Sequence, residues 1–174
     1  MVVVAPDYEG LGSDGVHPYL VGPSAARSTL DAVRAARELT EAKAGREFAV
    51  WGESQGGHAA LFTGADAASY APELRLVGVA AAAPPTQLVQ NLAGETTPVR
   101  TFLTAYVMHS WALYYGINTR GTVRASTAGV IDRLAQNNCV SLDAKPKLGM
   151  VLGIAAVKNE LKGINLGERP PWST

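Results

Sequence analysis

Three apolar runs punctuate the first half of the chain without polar alternation: Val2–Ala5, Phe48–Trp51 and Leu74–Ala83. Runs of this length and composition predict core strands, and the third, with Leu76, Val77, Val79 and the alanine run, fits a sheet covered on both faces. The segments between them read differently. From Ser24, placed as an N-cap, Ala26, Leu30, Val33, Ala36 and Leu39 recur at helical spacing to about Ala44, and Gly45 is the stop. Arg27/Asp31, Arg34/Glu38 and Arg37/Glu41 fall four apart on the other side of that helix, as on a solvated face, and are assigned no function. A second helix is predicted from about Gln55 to Ser69, with Ala59, Ala60, Leu61 and Phe62 suited to burial and Pro72 just beyond it. Strand, helix, strand, helix, strand predicts an α/β fold, a parallel sheet with right-handed crossovers whose ligands bind at the carboxyl ends of the strands. Asp7 and Ser54 both fall at such ends.

After Pro85 the pattern becomes helical. An apolar helix with few charges is expected over residues 98–115, ended by Gly116, and two more over about Ala125–Asn137 and Leu148–Lys162. This half reads as a helical insertion over the strand ends. The organisation expected is a sheet-and-helix core at 1–86, a helical cap or lid at 87–165, and a short closing segment at 166–174. The aromatic helix reads as core, or as the lining of an acyl pocket.

Composition narrows the partners. Lys plus Arg and Asp plus Glu are 15 each, a balance that gives no reason to expect nucleic acid or an anionic membrane. Cys139 is the only cysteine, so no disulfide closes within these residues and no cysteine-based metal site is expected. It reads as a small buried hydrophobe, or as half of a bridge whose partner lies outside. No cofactor is expected. The first residues are an apolar run, in which no secretory signal is expected, and no segment is expected to be long enough to span a membrane.

Chemistry concentrates at Gly52-Glu53-Ser54-Gln55-Gly56, which joins the second apolar run to the second helix. In a Gly-x-Ser-x-Gly elbow the serine occupies a strained strand-to-helix turn, and glycines two residues to either side let the backbones pass closely. Gly52 and Gly56 are those glycines, and Ser54 is the candidate nucleophile. The loop from Asp7 to Pro23 contains four glycines and two prolines, enough for tight turns beside a site, although an ordinary surface connection would look the same.

The runs Val3–Gly12 (VAPDYEGLG from Val4), Leu30–Ala36 and Gly52–Gly57 together resemble the secretory lipases, the fungal lipase-A type and bacterial relatives among the α/β-hydrolases. The resemblance is strongest across 1–85; in the cap it rests on position and helical character. It implies ester hydrolysis of acylglycerols or simpler carboxylic esters, a lipid or small-molecule ester as substrate, contact with a lipid interface, and a secreted parent protein. It also implies Ser54 as nucleophile, the Gln55 backbone N–H as one oxyanion donor and Asp7 as the other oxyanion contribution.

A serine hydroxyl needs a histidine to take its proton and a carboxylate to orient that histidine. The order in α/β-hydrolases is Ser, acid, His. Of His17, His58 and His109, only the last two follow Ser54. His58 belongs to the first turn of the nucleophile helix and is expected to pack or face solvent there. Asp66 is twelve residues past Ser54, roughly 18 Å along a straight helix, too far to orient a base at the hydroxyl. His109 falls in the apolar helix, and neither Asp132 nor Asp143 has a histidine after it. The resemblance implies an acid and a base on loops after later strands, beyond the cap. The expectation is therefore an internal or truncated piece of a larger hydrolase, nearly inactive alone, with 166–174 returning toward a missing C-terminal core that carries the triad Asp and His. Two alternatives remain: another α/β-hydrolase activity, acyl transfer or peptide hydrolysis, and a non-catalytic or decayed product of the same fold.

Overall fold

The computed structural model describes residues 1–93, 97–140, 145–168 and Trp172, and the chain divides into two compact units, Met1–Thr86 and Gln87–Thr174. The first unit contains α1 (Gly22–Glu38), β1 (Glu47–Glu53), α2 (Gln55–Tyr70) and β2 (Arg75–Ala82). β1 and β2 are parallel, with Trp51 opposite Ala80, Gly52 opposite Ala81 and Glu53 opposite Ala82. α2 is the crossover, packed against both strands and against α1. Leu30, Ala67 and Ala71 form its buried core, flanked by Phe48, Tyr70, Leu74 and Leu76.

Several expectations are corrected here. The run Val2–Ala5 is not a strand: no strand is assigned to it, and Val3 is 81% exposed. An apolar run becomes a strand only where another ladder meets its N–H and C=O groups, and among the described residues the sheet has just the two strands. Nor is the sheet covered on both faces. β1 alternates, Phe48 and Val50 being half-buried while Ala49 and Trp51 are exposed, and Val77 and Val79 of β2 are exposed as well. One-sided burial by α2 produces this period-two pattern in residues that are apolar throughout.

α1 starts earlier and stops sooner than its apolar spacing indicates. Pro23 occupies its first turn and Val21 the N-cap position, with no side-chain cap; proline suits that turn because its φ is already helical and the missing N–H has no partner there. Ser24 is inside the helix, its Oγ donating to Glu9 Oε2 at 2.6 Å. Arg34 binds Asp31 at 2.8 Å, three residues back, and Glu73 at 2.6 Å across the α2–β2 connection. Tyr70 completes that cluster by donating to Asp31, under the guanidiniums of Arg27 and Arg34.

The second unit contains α3 (Leu88–Ala93), α4 (Pro98–Tyr114), α5 (Ala125–Asn137) and α6 (Leu148–Leu161). Thr97 caps α4 by accepting from Arg100 N–H at 3.2 Å. Phe102, Met108, Ile131, Leu134, Val157, Leu161, Leu166 and Trp172 form one buried cluster. Cys139 is exposed rather than buried, because it follows the end of α5 and leaves the face that packs. Asp143 lies outside the described residues, as does most of 166–174 beyond Glu168. Among the described residues no helix is long and apolar enough to cross a membrane.

Candidate active site

β1 runs into α2 through a single residue, Ser54, with φ 53° and ψ −117°. Positive φ is costly for a residue with a Cβ and persists only when its surroundings impose it. Here the surroundings do. Ser54 N–H donates to Ala82 O at 2.9 Å, extending the β1–β2 ladder one step past the strand, and Ser54 O accepts from His58 N–H at 3.0 Å, opening α2. The residue is thus the last rung of a sheet and the cap of a helix at once. Its side chain has nowhere to go but outward, and Ser54 is exposed.

The glycines explain how so sharp a bend fits. A Cβ on Gly52 would lie 2.1 Å from the Gly56 carbonyl oxygen. One on Gly57 would lie 2.8 Å from Ala82 O, whereas one on Gly56 would meet nothing within 4 Å. The backbone of Gly56 therefore presses on Gly52, and the second position that excludes a side chain is Gly57.

Gln55, Gly56 and Gly57 precede the first intrahelical hydrogen bond of α2, so their N–H groups have no carbonyl one turn earlier within the helix. They stand beside the serine at the positive end of the helix dipole, a setting that favours developing negative charge. Asp7 is exposed, in the segment before the turn in which Leu11 N–H donates to Tyr8 O at 2.9 Å.

His58 is 4% exposed, its ring 4.6 Å from that of Phe62, and its Nδ1 has no protein partner. Burial lowers its pKa below the ordinary 6.5, since the charged ring would lose its hydration. The unfolded chain then binds the proton more readily. The stability associated with His58 is complete above 6.5 and declines as pH falls from there through the lowered folded value. We expect His58→Leu to flatten this part of a urea-midpoint profile; an unchanged slope would refute the assignment.

His109 is also buried, and its Nδ1 lies 2.8 Å from Asp132 Oδ1, joining α4 to α5. A histidine that precedes its aspartate does not match the Ser, acid, His order of α/β-hydrolases, so the sequence carries no signal for this pairing. His17, which precedes Ser54 in the chain, lies 2.7 Å from the Gln55 side chain. No spacing rule finds such a contact across a loop. Among the described residues no cluster of His, Cys, Asp or Glu could hold a metal.

A parallel strand pair with its crossover helix, followed in the chain by a helical unit, defines a partial α/β fold. A crystal structure from Legionella pneumophila, described as that of a candidate hydrolase, has the same fold at a TM-score of 0.69 and 22% identity, covering 90% of this chain and 47% of that one. The chain belongs to the secretory lipase family, whose model matches residues 1–102. It is 39% identical over 83 residues to Lipase 1 of Candida albicans, a match covering 45% of this chain and 17% of that protein. The chain thus spans less than half the length of either relative.

Proposed function

We propose that these residues form the nucleophile-bearing part of a secreted serine ester hydrolase acting on lipid or simpler carboxylic esters through an acyl-enzyme. The observation that carries this reading is the conformation of Ser54: an exposed hydroxyl held at positive φ between a strand end and a helix start. In the reaction, Ser54 Oγ attacks the ester carbonyl carbon while a base takes its proton. The carbonyl oxygen gains charge facing the Gln55 N–H, and collapse of the adduct breaks the ester C–O bond as the base returns its proton to the leaving alcohol, leaving the acyl group on Ser54. Water, activated by the same base, then releases the acid. Asp7 is proposed as the second oxyanion contribution.

The base is assigned to none of the three histidines. His17 is held by Gln55 and Glu9, His58 is packed on Phe62, and His109, although paired with Asp132, comes before its carboxylate, the reverse of the Ser, acid, His order of α/β-hydrolases. We therefore place the triad histidine and its carboxylate in parts of the protein beyond these residues.

A fluorophosphonate probe tests the assignment. Ser54 is expected to be the labelled residue by peptide mapping, slowly at first and faster when free imidazole is supplied in place of the base. Ser54→Ala should abolish the label, and in the protein with its full triad should lower kcat on the order of 10⁶-fold. Labelling spread over other serines, or insensitive to imidazole, would overturn the reading.

A further inference from the structure

The glycine-rich loop before α1 is tied to the elbow by side chains that the reaction itself does not use. Gln55 Nε2 lies 2.7 Å from His17 Nε2, and His17 Nδ1 lies 3.0 Å from Glu9 O. An amide nitrogen only donates and a carbonyl only accepts. His17 Nε2 must therefore accept from Gln55, and the ring proton sits on Nδ1, donating to Glu9. Both nitrogens are used, in one tautomer of the neutral ring.

The same ring stacks on Tyr8, with centroids 5.8 Å apart and planes 14° from parallel. Between these contacts the loop folds back on itself. Gly10 has φ 74°, and a Cβ there would lie 2.4 Å from His17 N. Ser24 Oγ holds the Glu9 carboxylate at 2.6 Å, so the segment immediately after Asp7 is fastened to α1 as well as to the elbow.

We propose that His17 is a positioning residue: it clasps the Gln55 side chain with one nitrogen and the Glu9 carbonyl with the other, holding the Asp7 loop against the residue whose N–H receives the oxyanion. A loop so rich in glycine loses much conformational entropy when ordered and needs such a tie. Displacing groups around a reacting centre by 1 Å can lower the rate about 10²-fold. The catalytic consequence rests on the reading of Ser54 as nucleophile, but the clasp does not.

The competing account is that His17 merely fills space between Tyr8 and Tyr19, whose rings both adjoin it. His17→Phe preserves ring packing and removes both nitrogens, whereas His17→Gln restores an acceptor for Gln55. Long-range ¹⁵N NMR of the unaltered chain should find His17 neutral with its proton on Nδ1; the Nε2–H tautomer, or rapid averaging of the two, would overturn the clasp without any variant having to fold. Hydrogen exchange at the Leu11 amide should quicken about tenfold in His17→Phe and in Gln55→Met. The double variant should add nothing further, and His17→Gln should recover part of the protection. Fluorophosphonate labelling of Ser54 should slow in His17→Phe and recover in His17→Gln. Unchanged exchange and labelling in His17→Phe would refute the clasp. If Ser54 fails to label in the unaltered chain, the nucleophile assignment falls and the tautomer and exchange data decide the clasp alone.

Discussion

Gly52→Ala is expected to destabilise the Met1–Thr86 unit by about 3 kcal/mol or more, at or beyond the upper end of ordinary overpacking. The added Cβ would meet the Gly56 carbonyl at 2.1 Å, and both partners are backbone, so no side chain can swing aside to relieve it. Relief requires β1 and α2 to separate at Ser54, which would relax the positive φ and turn the hydroxyl away from its outward position. Fluorophosphonate labelling should be lost together with stability. Gly57→Ala, meeting Ala82 O at 2.8 Å, should cost about 1–2 kcal/mol. Gly56→Ala meets nothing, and alanine's better helix propensity should leave it neutral or stabilising by up to about 1 kcal/mol. Urea midpoints of the three variants check the order. Equal effects at Gly52 and Gly56 would mean that the close approach of strand and helix is not what shapes the elbow.

Trp172→Ala is expected to cost the Gln87–Thr174 unit about 3–5 kcal/mol, the range for emptying a buried aromatic site. Trp172 is 2% exposed within the cluster of Met108, Ile131, Val157 and Leu166, and its indole N–H donates to Thr122 Oγ1 at 3.0 Å. Trp172→Phe separates the two contributions, since it retains much of the apolar contact and loses the hydrogen bond, worth about 1 kcal/mol net. Denaturation followed at α4 amides measures both. A loss under about 1 kcal/mol for the alanine variant would show that the ring is not part of the cluster's packing.

Around the elbow, what was legible was local. Gly52-Glu53-Ser54-Gln55-Gly56 sits between a run of strand-forming residues and a run of helix formers, and neighbours along the chain suffice to make such a turn. The same holds for α2, α4 and α5, whose spacing and stops are carried within each segment. Even here tertiary detail intervened: it is the approach of Ala82 O that makes Gly57, rather than Gly56, intolerant of a side chain. The loop ahead of α1 was readable only as glycine-rich. His17, its one imidazole, finds a partner 38 residues later, and no periodicity encodes that meeting.

Burial was the least legible property. Val2–Ala5 and Leu74–Ala83 are alike in apolar content, yet only the second contains a strand, because β1 offers it a ladder. Cys139 has the side chain of a core residue and lies exposed.

The sequence by itself determined the turn that presents Ser54, since a serine between glycines at a strand-to-helix junction is specified by adjacent residues. Only the tertiary structure decided which glycine must lack a side chain, which faces of the sheet are covered, and which partners hold His17, His58 and His109. Those outcomes depend on backbone and side-chain groups far apart in sequence, and hydrogen bonds and close packing act at distances of a few ångströms in space, whatever the separation along the chain.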